Sequence, residues 1–224
     1  MRVRWLGQSA FILTAGPVSV LIDPFDDARE VLAARGMRFS YHVERDLRAD
    51  LLIVTHEHID HAGVGVAAGD PHVVRSTAGT FATPLGTVVA IASEHDDVAG
   101  TKRGPNLVVA FDLDGIRVCH FGDFGQGDLR PEQTEAIGQP DLLFVPVGGG
   151  PTIAGAQAAA LAGSLGARWV VPMHYRTPWI DFLEPIDDFL GAFSEDDRWL
   201  LGKPDFATED LPTRNAPIAV VPRI

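Results

Sequence analysis

The sequence predicts an α+β protein whose sheets are built early and whose helices come late. Three observations carry this. The chain opens with short apolar runs separated by glycine- and proline-containing turns, the pattern of a β-meander. Later apolar runs end, one after another, in histidine or aspartate, which puts polar groups at strand ends, where rigid scaffolds present their chemistry. The better-defined helical segments, 131–137, 155–165 and 184–193, fall in the second half.

Taken in order, residues 2–6, 9–14 and 18–22 read as three strands, broken at Gly7-Gln8 and at Ala15-Gly16-Pro17. The third delivers Asp23-Pro24. Asp23 is either a turn-former before proline or a carboxylate that orients a histidine. Residues 26–48 are charged and irregular, with a short helix expected at 27–35 and His42 read as solvated. Asp50–Val54 is a buried strand by its apolar, β-branched content. It runs into Thr55-His56-Glu57-His58-Ile59-Asp60-His61, and Gly63 and Gly65 then let the chain turn sharply.

Strands at 72–75 and 87–92 follow, with His72 read as a turn residue; the second strand delivers His95 among Glu94, Asp96 and Asp97. Residues 106–112 and 116–121 form a hairpin about Asp114-Gly115. Its second arm leads to Asp123, with Gly122 before it and Gly125 shortly after. His120, on the same arm, reads as structural or as support for a ligand. Pro131 suits the first turn of helix 131–137. Strand 141–145 runs into Gly148-Gly149-Gly150, read as a tight strand-to-helix connection because it lacks the Lys and Ser/Thr of a phosphate loop. Thr152 is the expected cap of helix 155–165. Strand 168–173 ends in His174-Tyr175-Arg176. Tyr175 and Arg176 either reach into a pocket, as donor or anion clamp, or lie on the surface. The tail, 194–224, is polar, with one strand at Ile218–Val221 returned to a sheet.

Neutral imidazole is the commonest metal ligand. His56 and His58 are two apart, so an extended segment points both the same way, while Asp60 and His61 approach from the turn. His95 completes a three-histidine set with His56 and His58, an arrangement that leaves a position for water. His174 suits a second site with Asp60, His61 and Asp123, and Asp123 is the candidate bridging carboxylate. Nitrogen and oxygen donors of this kind match one or two divalent ions. The motif differs from the helical His-Glu-x-x-His of zinc proteases, because position 60 is Asp and a strand precedes it.

Composition narrows the function. Eighteen basic against thirty acidic residues give a net charge of −12, which argues against a phosphate-backbone surface and so against a nucleic-acid partner. No apolar run approaches the ~18–20 residues that cross a membrane. The single cysteine, Cys119, excludes an internal disulfide and fits a reducing cytoplasm. No repeat or linker divides the chain, so one domain over residues 1–224 is expected.

Asp23, the His56-x-His58-x-Asp60-His61 signature, His95, Asp123 and His174 together resemble the metallo-β-lactamase superfamily. Val20-Leu21-Ile22-Asp23-Pro24, Phe121-Gly122-Asp123 and Val171-Pro172-Met173-His174-Tyr175 look most like the bacterial branch that includes ascorbate-phosphate lactonases and zinc-dependent hydrolases. The resemblance covers about residues 1–193. It implies a four-layer αβ/βα sandwich with a two-metal site at one edge. By position, His56, His58 and His95 would hold one ion, Asp60, His61 and His174 the other, and Asp123 would bridge them. Zinc is the expected metal, with manganese and iron the other candidates.

The expected reaction is hydrolysis of a small lactone, ester or amide by a hydroxide bridging the two ions. Asp60 or Asp123 would orient the nucleophile and accept its proton. Phosphodiester cleavage in a small phosphorylated substrate is the alternative. A di-iron redox protein fits less well, because no flavodoxin-like half is present. A non-catalytic metal binder fits less well, because the ligand set is intact. The partner expected is a small-molecule substrate, with homo-oligomerisation left open.

Overall fold

A computed structural model describes residues 1–224. The chain begins with an antiparallel meander, β1 (Arg2–Gly7), β2 (Ala10–Ala15) and β3 (Val18–Ile22). A short helix, α1 (Arg29–Ala33), and a two-residue strand, β4 (Leu47–Arg48), precede β5 (Leu51–Val54). Then come β6 (Ala67–Ala68), β7 (His72–Arg75), β8 (Gly79–Thr83) and β9 (Gly86–Glu94). The hairpin β10 (Pro105–Leu113) and β11 (Ile116–His120) turns at Asp114-Gly115, both at positive φ, as a tight turn of this kind requires. Helix α2 (Pro131–Ile137), β12 (Leu142–Pro146), α3 (Gly155–Ser164), β13 (Trp169–Met173) and α4 (Asp187–Gly191) alternate after it. The tail adds β14 (Arg198–Leu200), β15 (Asp205–Ala207) and β16 (Ile218–Val221).

Two large mixed sheets result, beside a two-stranded pairing of β4 with β6. One has six strands in the order β15-β1-β2-β3-β5-β7, the other eight in the order β14-β16-β13-β12-β11-β10-β9-β8. Their inner faces share one core of 46 buried residues that draws on both sheets. Phe11 of β2 meets Phe144 of β12 across the interface with ring centroids 4.4 Å apart, and both are fully buried. Full burial of such a side chain contributes about 1.5–3 kcal/mol. Strands β12 and β13 are buried at every residue, as parallel strands covered on both faces are. Helix α3 lies against β12, α2 lies against β9 and β10, and α4 packs on α3. On the other side a smaller cluster of Phe25, Ala28, Leu32, Phe39 and Tyr41 covers Ala10 of β2. Helix, sheet, sheet, helix is the αβ/βα sandwich that the family resemblance implied.

The differences from expectation have physical causes. Helix 27–35 shortens to 29–33 and helix 184–193 to 187–191, because segments this short draw stability from packing rather than propensity. Thr152 does not cap α3. Ala154 holds the cap position, and the Thr152 hydroxyl donates instead to the Gly149 carbonyl at 3.4 Å. Strand β8 was not foreseen: its residues are half-exposed and it sits on a sheet edge. Strands β14 and β15 hide in the polar tail because each is only three residues long and lies on a sheet edge. His72 is the first residue of β7 rather than part of a turn. No helix is long and apolar enough to cross a membrane.

Candidate metal centre

Asp23, His56, His95, Asp123 and His174 all follow the carboxyl ends of strands, after β3, β5, β9, β11 and β13. The two sheets bring these ends to one edge of the sandwich, so residues far apart in sequence converge. Asp123 is the hub. Its Oδ2 lies 3.0 Å from His95 Nε2, 3.2 Å from His174 Nε2 and 3.7 Å from His56 Nε2. Its Oδ1 lies 3.2 Å from His61 Nε2. His56 Nε2 and His58 Nδ1 are 3.1 Å apart, so they face a common point. Ligand atoms of His56, His58, His95 and Asp123 all fall within 4.8 Å of one another, as do those of Asp60, His61 and His174. His58 and Asp60 stay outside the buried set and mark the open side.

Backbone geometry makes this convergence feasible. Gly122 has φ +53°, and a Cβ there would lie 2.3 Å from Asn106 Oδ1 and 2.7 Å from Thr55 Oγ1. Only glycine fits, and its bend turns Asp123 inward while His120 faces elsewhere. His120 Nε2 donates to the Ser9 carbonyl at 3.0 Å, and its Nδ1 accepts from the Gly122 N–H at 3.1 Å. Both ring nitrogens are thereby used, which makes His120 structural. Gly148 packs against the His174 carbonyl, where a Cβ would meet that oxygen at 2.2 Å. The triple glycine is thus a tight connection, as its sequence suggested.

The outward ring nitrogens of His61, His95 and His56 are held by the chain. Asp23, fully buried, accepts from His61 Nδ1 at 3.0 Å and from the Thr55 N–H and hydroxyl, each at 2.7 Å. Of its two readings, the orienting carboxylate is the one its contacts match. His95 Nδ1 lies 3.0 Å from the Pro151 carbonyl, and His56 Nδ1 lies 3.1 Å from Thr55 Oγ1. Contacts of this kind fix the tautomer and aim of a ligand histidine. Thr55, Gln8 and Asn106 were not singled out from sequence. Asn106 Oδ1 accepts the Asp123 N–H at 2.9 Å, and its amide donates to Ser93 Oγ and the Phe121 carbonyl. Thr55 carries a signal, since it adjoins the histidine motif, whereas Asn106 carries none beyond a polar residue entering an apolar strand.

Tyr175 and Arg176 do not enter the cluster. Tyr175 is buried and stacks on Trp5 with centroids 5.7 Å apart. Burial pushes its hydroxyl well above the ordinary phenol range. Arg176 Nε donates to the Leu183 carbonyl at 2.7 Å, so it ties a loop together on an exposed position.

The electrostatics of the cluster suit a cation. Burial alone would raise the Asp123 carboxyl, but His174 and His61 outweigh it and hold it well below the usual range. Burial likewise opposes charge on His61 and His95. In His61 the Asp123 and Asp60 carboxylates overcome it, and in His95 the Asp123 contact does, so both sit above the ordinary histidine value. His56 and His58 are lowered, by burial and then by the neighbouring imidazoles. Buried carboxylates set among imidazoles call for a compensating positive charge, which a divalent ion supplies without protons. His61 Nε2 and Asp123 Oδ1 are buried without a hydrogen-bond partner. Unpaired buried polar atoms are costly, and two of them facing each other among nitrogen and oxygen donors fit a bound cation.

Comparison with known proteins agrees with this geometry. Residues 2–174 match the family model described as a beta-lactamase superfamily domain. The chain belongs to the metallo-β-lactamase superfamily. A UPF0173 metal-dependent hydrolase from Thermus thermophilus is 30% identical over 202 residues, covering 79% of this chain and 84% of that protein. One from Thermococcus onnurineus is 29% identical over 200 residues, covering 79% and 85%. A Thermotoga maritima structure, named as a zinc-dependent hydrolase of the metallo-β-lactamase superfamily, is 27% identical with a TM-score of 0.77 over 99% of both chains. This superfamily member is accordingly a metal-dependent hydrolase, and its histidine and aspartate clusters are able to hold metal.

Proposed function

We propose that residues 1–224 form one metallo-β-lactamase-like domain that hydrolyses a lactone, ester or amide bond in a small molecule, using two divalent ions, zinc by preference. The observation that carries this reading is the Asp123 carboxylate, with histidine Nε2 atoms of His95, His174 and His61 within 3.2 Å and His56 at 3.7 Å. His56, His58 and His95 would hold one ion, Asp60, His61 and His174 the other, and Asp123 would contribute to both. Bound divalent ions supply a water acidified toward neutrality and a Lewis acid for the substrate oxygen.

The chain's own residues do the rest. Asp60 has Oδ2 held by the Gln8 amide at 2.9 Å. Asp60 is part-exposed and would take the proton of the attacking water. Asp123, held by the Asn106 contact to its N–H, keeps the two halves of the site in register. Asp23 and the Pro151 carbonyl hold His61 and His95 in aim. The lactone preference rests on the resemblance of the strand-end phrases to lactonases.

Elemental analysis of protein purified without added metal, paired with a panel of lactones, esters, amides and small phosphodiesters, tests the reading. The expected result is about two zinc ions per chain, falling toward one in His61→Ala and His174→Ala, with turnover on lactones or esters. Turnover confined to phosphodiesters replaces the substrate class. Folded, metal-replete protein that cleaves nothing in the panel overturns the hydrolytic reading.

A further inference from the structure

The turn between β1 and β2 holds a residue that the reaction scheme leaves unexplained. Gln8 is 0% exposed, has φ +52°, and follows Gly7 at φ +111°. The β1–β2 register shifts between Trp5 and Gly7. A register irregularity plus a left-handed non-glycine residue is local strain of a kind that clusters at functional sites and re-aims a side chain. Its backbone is pinned. The Gln8 carbonyl accepts the Trp5 indole N–H at 3.0 Å and the His174 N–H at 3.4 Å. Its side-chain Nε2 donates to Asp60 Oδ2 at 2.9 Å. One buried amide thus touches, by backbone or side chain, two of the three residues assigned to the second ion.

Gln8 and His174, joined through their backbones, each carry one orphaned polar atom. Gln8 Oε1 and His174 Nδ1 are both buried and both lack a hydrogen-bond partner. His174 is the exception among the buried histidines of the site. His61 Nδ1 has Asp23, His95 Nδ1 has Pro151 and His56 Nδ1 has Thr55. A histidine whose Nε2 faces a metal carries its proton on Nδ1 and needs an acceptor there. The residue whose carbonyl already meets the His174 N–H carries an unused acceptor.

We propose that Gln8 is the positioning residue of the second metal site: its amide N–H holds Asp60, and its Oε1 accepts the His174 Nδ1–H in the metal-loaded protein. This rests on the two-ion reading above. Gln8 touches no substrate. It acts by fixing the direction of one carboxylate and one imidazole, so its effect falls on the second equivalent of metal and leaves the first alone.

The test is a zinc titration of metal-stripped protein against a chromophoric chelator, comparing wild type with Gln8→Met, which keeps the length and loses both hydrogen-bonding ends. The expected result is a first equivalent unchanged within about twofold and a second weakened about 10–100-fold. The melting temperature of the metal-free variant should stay within a few degrees of wild type. A second measurement needs no variant. In zinc-loaded wild type the assigned His174 Nδ1–H should be a slowly exchanging, hydrogen-bonded imidazole proton by nitrogen-edited NMR. Equal affinities for both equivalents in Gln8→Met, or equal losses in both, overturn the proposal, as does a fast-exchanging His174 Nδ1–H in wild type. A wild type that binds a single equivalent removes the two-ion reading and this assignment with it. Two equivalents in wild type with no change in Gln8→Met removes this assignment alone.

Discussion

Replacing Asp23 by asparagine should uncouple a histidine tautomer from the fold. Asp23 accepts three bonds in a fully buried site: Thr55 N–H at Oδ1, and the Thr55 hydroxyl and His61 Nδ1 at Oδ2. An asparagine must put an NH2 where one oxygen was. Facing the Thr55 N–H, it sets donor against donor. Facing His61, it demands an acceptor at Nδ1, which moves the His61 proton to Nε2. That atom lies 3.2 Å from Asp123 Oδ1 and is the one assigned to the metal. A hydrogen bond to a charged group contributes about 1.5–3 kcal/mol, so losing the equivalent of two, with relaxation, costs about 3 kcal/mol. At about 2–4 °C per kcal/mol for a chain of this size, Asp23→Asn should melt about 6–12 °C lower when metal-free. Loss of an orienting carboxylate should also weaken zinc binding about 10–100-fold. Thermal melts and chelator competition read the two effects. An Asp23→Asn protein with wild-type melting and wild-type affinity for both equivalents would refute the argument.

Other outcomes follow from the same geometry. Gly122→Ala should destabilise the chain by about 2–4 kcal/mol in denaturant titration and reduce bound metal, because φ +53° and a 2.3 Å approach to Asn106 Oδ1 leave no room for a methyl group. Phe11→Ala should cost about 3–5 kcal/mol, since Phe11 is fully buried and packs against Phe144 across the two sheets. Its metal stoichiometry, measured under folding conditions, should stay at the wild-type value. Stripping metal with a chelator should lower the melting temperature, by the equivalent of about 2.7 kcal/mol where free metal had stood at 100 times its dissociation constant. Glu57 is held down to about 2 by hydrogen bonds from Arg75 and then Ser76. Its folded value is depressed, so its contribution is present above the ordinary carboxylate range and fades as pH falls toward 2. Both side chains are about half exposed, so Arg75→Ala should return the Glu57 value toward the ordinary one by NMR titration while costing well under 1 kcal/mol at neutral pH.

Strand-end chemistry was legible because it is written locally. His56, His58, Asp60 and His61 share one loop, and apolar runs announce β5, β9, β11 and β13 before their terminal residues. What stayed hidden depends on which loops the sheets bring together. Gln8 and Asp60 are 52 residues apart, and Asn106 and Asp123 are 17 apart on opposite sides of a hairpin. Neither contact has a period or motif to betray it. The edge strands β8, β14 and β15 were hidden for another reason. Strands β8 and β14 bury few side chains, β15 is only three residues long, and the pairing of all three comes from neighbours rather than from their own composition.

The supporting shell is more unequal than the ligand set. The six histidines and aspartates nearest Asp123 could be proposed from residue type alone, yet their orientation is set by neutral, unremarked groups: a threonine hydroxyl, two carboxamides and a proline carbonyl. These groups carry no charge, so they fix direction without adding to the electrostatic cost of a buried, carboxylate-rich site. Charge in the shell is confined to Asp23, which lies behind His61, the one imidazole that is fully buried and faces two other carboxylates. There Asp23 accepts the His61 Nδ1–H from the side away from Asp123, and so fixes the ring's tautomer. That division, with neutral groups for aim and one anion for the most deeply buried histidine, predicts that Thr55→Val will disturb the site through Asp23 and His56 together rather than through either alone.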